Sequence, residues 1–302
     1  MITAQAVKEL REITNCGMMD CKKALTEVDG DMEKAIEWLR EKGLAAAAKK
    51  AGRIASEGLV DAYVNDDNTV AAIVEINSET DFVAKNSDFQ AFVKNVARIV
   101  AETNPADIED LKTKKYIDSD LTVEEALREK ILTIGENMNI RRFARYEGAV
   151  VTYIHGGGRI GVIVQFDTDV ASKPEFFEVA KDVALQIAAS APTYLDRSVV
   201  PADVLEKEKE ILKAQALNEG KPEAIVEKMV MGRISKYYKE NCLVDQEFVK
   251  DPEISVSKML DVKGKEMGGT ISVKAYDRFE KGEGLEKRED DFAAEVEKMV
   301  KK

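Results

Sequence analysis

Histidine is almost missing from this chain: among 302 residues, His155 is the single imidazole. A histidine cluster for a metal is thereby excluded. Cysteine is nearly as scarce, and the three present, Cys16, Cys21 and Cys242, are too few and odd in number for a disulfide framework. Cys16 and Cys21 stand five apart across a helix start, the wrong spacing for a zinc pair. Cys21 falls on the inner helix face, as an inert core residue. Nothing in the sequence joins His155 to a cysteine as base and nucleophile. Long apolar runs are also missing, and none approaches the ~20 residues that span a bilayer. The opening Met1-Ile2-Thr3-Ala4-Gln5 lacks the basic and apolar regions of a signal peptide. A net charge of −12 argues against general affinity for nucleic acid or an anionic membrane. The 57 acidic residues show no local constellation that singles out a catalytic pair. These absences predict a cytoplasmic protein that uses no metal or cofactor and performs no covalent chemistry of the usual kinds.

What is present suits a helix-rich globular protein of two or more domains, with 44% hydrophobic and 34% charged residues. Three short amphipathic helices open the chain. Thr3 caps the first, with Val7, Leu10 and Ile13 inward. Asp20 is expected to cap the second, which carries Cys21, Ala24, Leu25 and Val28 and ends at Asp29-Gly30. Asp31 caps the third, with Met32, Ala35, Ile36 and Leu39 buried and Gly43 as its stop. Met18 and Met19, side by side between helices, are either core or an adaptable docking surface. Residues 44–53 form a basic, alanine-rich connector able to continue as helix, with Lys49, Lys50 and Arg53 as a solvated face.

The chain then reaches its most distinctive stretch. Residues 57–64 and 69–76 flank Asn65-Asp66-Asp67-Asn68, a hairpin signal. The second strand leads into the polar loop Asn77-Ser78-Glu79-Thr80-Asp81-Phe82-Val83-Ala84-Lys85-Asn86. Ser87 is the expected cap of the next helix, which carries Phe89, Phe92, Val93, Val96, Ile99 and Val100. A loop held between two rigid elements is a common place for function. Phe82 either tucks under that loop as core or stays outside it as a contact.

Beyond that helix, residues 104–120 read as surface loop, and Thr122 with Glu125 forms a capping box for a helix through Ile134. Residues 142–145, 150–154 and 160–166 alternate like strands. His155-Gly156-Gly157-Gly158-Arg159 joins the last two. A phosphate cradle would have to open a helix, whereas strand follows here, so the expectation is a tight hairpin with a bulge. A helix runs from Pro174 to about Ser190. Two charged helices broken at Asn218-Glu219-Gly220-Lys221-Pro222 form an antiparallel hairpin, with Val230 and Met231 on its second arm. A strand over 271–276 and a helix over 290–301 close the chain.

Several of these segments resemble one family. Leu10-Arg11-Glu12, Thr14 and Gly17-Met18-Met19-Asp20-Cys21-Lys22-Lys23-Ala24-Leu25 are similar to the opening signature of bacterial elongation factor Ts. Thr80-Asp81-Phe82-Val83-Ala84-Lys85 resembles its second. Ile134-Gly135-Glu136-Asn137, Asn139-Ile140-Arg141-Arg142, His155-Gly156, Arg159-Ile160-Gly161-Val162 and Gly282-Glu283-Gly284-Leu285-Glu286-Lys287 follow in family order, as does Asp291-Phe292-Ala293-Ala294-Glu295-Val296. Asn15 and Cys16 stand where the family usually carries Gly-Ala.

The resemblance implies an α+β protein with a UBA-like three-helix domain over 1–53 and a core N-terminal subdomain over 54–148. A core C-terminal subdomain over 149–200 and 241–280, a coiled-coil hairpin over 201–240 and a C-terminal module over 281–302 complete it. It implies a guanine-nucleotide exchange factor in protein biosynthesis that acts on elongation factor Tu, GDP-bound and nucleotide-free. Its implied contacts are Thr80, Asp81, Phe82, Val83, Met19, Lys23, His155, Ile134, Gly135, Val230 and Met231. Dimerisation through the hairpin stays open. Without the resemblance, the residues also suit a non-catalytic scaffold that docks peptides through its small helical domain.

Overall fold

Strands rich in β-branched residues build two antiparallel sheets at the centre of the computed structural model, which describes residues 2–14 and 16–287. The first sheet orders β1 (Glu57–Val64), β2 (Val70–Ser78) and β3 (Met138–Glu147). The second orders β4 (Ala149–His155), β5 (Ile160–Thr168) and, after a short ribbon of β6 (Glu247–Phe248) and β7 (Asp251–Ser255), β8 (Ile271–Glu280). Central β2 is buried along all but its first residue, because both faces of its sheet are covered.

One face of the first sheet packs under two helices, with Phe89, Phe92, Val96 and Ile131 fully or almost fully buried. The second sheet carries Phe176, Val183, Ile187 and Leu260 in the same way. Between the sheets, Val60, Ala71 and Ile73 meet Val150, Ile163 and Phe279. Their approach is close: a Cβ on Gly161 would lie 2.3 Å from Val60 Cγ1. The arrangement is α+β, as the sequence predicts.

The helices, in order, are α1 (Ala4–Thr14), α2 (Met18–Glu27), α3 (Met32–Lys50), α4 (Asp81–Ala84), α5 (Ser87–Thr103), α6 (Ile108–Thr113), α7 (Val123–Ile134), α8 (Pro174–Ser190), α9 (Ala202–Asn218), α10 (Glu223–Asn241) and α11 (Val256–Glu266). The capping box at Thr122 and Glu125 forms as expected, and α8 takes its expected limits. Helices α9 and α10 form the antiparallel hairpin around a seam of Ala216, Val226, Val230 and Ile234. Helix α6, capped by Asp107, stands inside what reads as loop. Helix α11, capped by Ser255, had no counterpart in the sequence reading. The expected helix over 290–301 lies outside the described residues.

Several local expectations are corrected. Asp20 does not cap α2; Gly17 is the N-cap, and Asp20 pairs with Lys42 of α3 instead. Gly43 does not stop α3, which continues through the alanine run to Lys50 and packs on α7. Lys50 is not merely solvated: its Nζ donates to the Ile131 carbonyl at 3.0 Å, near the negative end of the α7 dipole. Arg53 likewise pairs with Glu79 at 3.3 Å. Met18 and Met19 are exposed, as is Ile13. The turn after His155 is a hairpin with Gly156, Gly157 and Gly158 at positive φ, and its register carries no bulge.

A single buried carboxylate ties the two sheets. Glu75 of β2 has no exposed surface. It accepts hydrogen bonds from Arg141 Nη1 at 3.0 Å, Arg142 Nε at 2.6 Å, Asn77 Nδ2 at 3.0 Å and the Gly282 amide at 2.8 Å. Gly282 follows β8, sits at φ +69° and has no room for a side chain, since a Cβ would lie 2.1 Å from the Ser56 carbonyl oxygen. Burial opposes ionisation of Glu75, but the Gly282 amide, Asn77 and the two arginines outweigh it and hold the carboxyl below its usual value. The stability this confers is fully present above the ordinary glutamate pKa of about 4.3 and is lost as pH falls through the depressed folded value. Glu75→Gln is expected to destabilise the fold by about 3 kcal/mol at neutral pH and to flatten the acid side of the stability profile. Denaturant titrations at a series of pH values measure both.

Candidate functional site

Strand β2 delivers the Asp-Phe segment, and a second motif locks it. Ser78 Oγ donates to the Thr80 carbonyl at 3.0 Å, turning the chain out of the sheet. The Thr80 amide and hydroxyl donate to the two carboxylate oxygens of Glu136 at 3.0 and 2.7 Å. Glu136 reaches them because α7 ends at Gly135, whose left-handed backbone at φ +89° reverses the chain. Glu79 repeats the pattern, accepting from the Asn137 amide at 2.6 Å and from Arg53. Ile134, half-buried, packs on the first core and places Gly135. The two motifs, 56 residues apart in sequence at Thr80 and Glu136 but hydrogen-bonded here, thus form one unit.

Within that unit, residues 81–84 are not open loop but the single turn α4. Val83 is its anchor, only 5% exposed and packed on the first core. Phe82, one residue earlier, points the other way and is 77% exposed. Lys85 Nζ donates to Asp81 at 2.8 Å and stands 5.6 Å from the Phe82 ring centre. The Lys85 hydrogen bond holds the Asp81 carboxyl below its usual range. The next helix is capped by Asn86, not Ser87, because the Asn86 side-chain oxygen reaches the amides of Asp88 and Phe89 at 2.8 and 3.1 Å. Gln90 closes the segment by donating to the Ala84 carbonyl at 3.0 Å.

The other sequence-predicted residues occupy separate elements. His155 is exposed at the end of β4, with its Nδ1 3.0 Å from the Tyr153 hydroxyl. Met19 and Lys23 are exposed on α2, Met19 at 74%. On α10, Met231 is 65% exposed, but Val230 is buried in the hairpin seam. Val83 and Val230 are therefore packing residues in this chain. Glu136 stands in the sequence as part of a family motif without a role, and Glu75 stands in no motif; their partners lie 56 and 207 residues away at Thr80 and Gly282. A carboxylate inside an otherwise apolar strand was the available signal for Glu75.

The family model described as elongation factor TS matches residues 79–283, which begin at this very loop and end at the Glu75-bound segment. The chain belongs to the elongation factor Ts family. Proteins named elongation factor Ts are similar along almost the whole chain. One from Clostridium perfringens strain SM101 is 60% identical over 302 residues, covering 99% of each. Others from Clostridium kluyveri ATCC 8527 and Clostridium novyi are 57% and 54% identical over 304 residues, again covering 99% of each. As an elongation factor Ts family member the chain is a translation elongation factor. No helix among its described residues is long and apolar enough to cross a membrane.

Phe82 and Val83 are neighbours with opposite exposure, so their truncations are expected to part company. Val83→Ala should destabilise the elongation factor Ts fold by about 1.5–3 kcal/mol, while Phe82→Ala should leave the melting temperature near that of the parent. Thermal melts of the two variants side by side decide this.

Proposed function

We propose that this chain releases GDP from elongation factor Tu in the cytoplasm, by binding the nucleotide-free form and displacing magnesium and phosphate contacts. The observation that carries this reading is the exposed Phe82 ring on a turn whose neighbours are fixed by Val83, Glu136 and Asn86. A large apolar side chain kept in water by an ordered backbone is poised to enter a partner's pocket. A nanomolar nucleotide is held by about 12 kcal/mol, much of it through phosphate and metal contacts. A factor that favours the empty partner weakens the nucleotide by the same coupling, and no bond need be made or broken. In this reading Phe82 is the wedge between helices beside the magnesium site, and Asp81 disturbs the polar contacts nearby.

Thr80 and Gly135 hold the wedge in place, with Ile134 behind them. Met19 and Lys23 on α2, His155 on the β4–β5 turn and Met231 on α10 supply further exposed contact points. The division into a 1–53 helical domain, two core subdomains, a 201–240 hairpin and a C-terminal module belongs to the same proposal.

A second reading has its own support, since Ile13, Met18 and Met19 together expose apolar surface on the small helical bundle. That surface also suits a scaffold that docks peptides. One measurement separates the two. With elongation factor Tu carrying fluorescent GDP, the exchange factor accelerates nucleotide release and a scaffold leaves it at the spontaneous rate. Phe82→Ala is expected to slow release at saturating factor by about 10–100-fold, the equivalent of burying one aromatic side chain. Asp81→Ala should act in the same direction and less strongly. Unchanged release by folded Phe82→Ala would remove the wedge.

A further inference from the structure

Strand β1 breaks its own alternation at one position. Val60, Ala62 and Val64 face the second sheet, while Leu59 and Tyr63 join the core beneath α5. Asp61 lies between those two, in the row that the pattern reserves for apolar residues. Its carboxylate is partly buried and accepts one hydrogen bond, from the amide of its own neighbour Ala62 at 2.8 Å. Among the described residues it forms no ion pair. Burial pushes its carboxyl above the usual aspartate range, while the Ala62 amide and Lys94 act the other way. A partly desolvated carboxylate with no cation in salt-bridge contact weakens the fold that contains it. Positions that break a local rule without a compensating contact are where function is to be sought.

The surroundings of Asp61 say what would complete it. It lines a cleft of about 420 Å³ whose floor is β1. One wall is the outer side of α5, at Ser87, Gln90 and Lys94; the other is the glycine turn, at Gly157 and Gly158. The first wall begins five residues after Phe82 in sequence, and the second follows His155 by two, so each wall continues from a segment bearing an exposed candidate contact. Leu59 and Ile154 add apolar lining. A carboxylate at the bottom, methylene-sized apolar walls and a chain of net charge −12 together match a long basic side chain entering from outside.

We propose that this cleft receives an arginine or lysine of the nucleotide-binding domain of elongation factor Tu, with Asp61 accepting its hydrogen bonds; this rests on the exchange reading of the Phe82 loop. Asp61 then adds affinity beside the wedge and takes no part in prising the nucleotide site open.

The test uses the full chain, Asp61→Asn and Lys94→Gln, with thermal melts, binding to nucleotide-free elongation factor Tu and release of fluorescent GDP. Asp61→Asn is expected to bind about tenfold more weakly, to reach the parent release rate at saturation, and to melt no lower than the parent. Its binding should also depend less on salt. Lys94→Gln is expected to bind at least as tightly as the parent, because a competing cation at the rim is gone. Parent-like affinity of Asp61→Asn overturns the proposal. So does lower thermal stability in both variants, which would make Asp61 and Lys94 an ion pair serving the fold alone. Failure of the exchange reading itself is distinguishable: the parent chain would then leave GDP release at its spontaneous rate, and both proposals fall together.

Discussion

Taking a carboxylate out of water costs several kcal/mol unless donors surround it, and Glu75 is surrounded on every side that matters. Its donors come from β2 itself, from the adjacent β3 and from the amide that follows β8. One side chain therefore fixes where the end of the second sheet lies against the middle of the first. An apolar residue would fill the same space without specifying that geometry. The constraint spreads from there: Arg142 also stands 4.3 Å from the Phe279 ring, and Tyr146 donates to Asp277 at 2.6 Å across the same joint. Burial raises the Asp277 carboxyl above its usual range, whereas the donors around Glu75 hold its carboxyl below.

The Asp-Phe turn inherits this rigidity. Two residues separate Glu75 from the end of β2 at Ser78, and Thr80 is then caught by Glu136. A flexible loop carrying Phe82 would let the ring fold back on its own core and lose conformational entropy on binding. A turn pinned on both sides has already lost it, so more of the contact energy is available to a partner. The helical bundle follows the same logic. Helix α3 lies on α7, and Lys50 holds the carbonyl of Ile131 one turn before Gly135. The elements bearing Met19 and Phe82 are thereby joined through α7 by packed helix, the alanine-rich stretch continuing as helix to Lys50.

Legibility in the sequence followed the range of the interaction. The Thr122–Glu125 capping box, the Asn65–Asn68 turn and the Pro174 helix start are decided within a few residues, and pattern reading finds them. Asp20 misled because an acidic residue near a helix start looks like a cap, whereas a tertiary partner, Lys42, claims it. Gly43 misled for the opposite reason: packing on α7 carries the helix past a residue that would end it in isolation. Met18 and Met19 were ambiguous because hydrophobicity alone does not say which side of a bundle a residue faces. The segments at Thr80, Ile134 and Gly282 were visible through family resemblance, but their physical connection was not. It runs through Glu136 and Glu75, whose partners are set by the tertiary fold.

The distribution of exposed contact points bears on how such a factor lets go. On the exchange reading, the chain must hold the empty partner firmly yet yield when nucleotide returns. One deep, dominant contact would make release slow, since affinity differences between related complexes lie mainly in dissociation. Several modest contacts on a rigid frame avoid this, because each is weak alone and they act jointly only while the partner keeps one geometry. Phe82, Met19, Met231 and His155 are exposed on four different elements, which is the arrangement that requirement favours. Returning nucleotide and magnesium would restore the partner's own geometry, displace the ring and break the register of the remaining contacts. The coupling free energy that expels GDP then also expels the factor, since linkage allows no other sign.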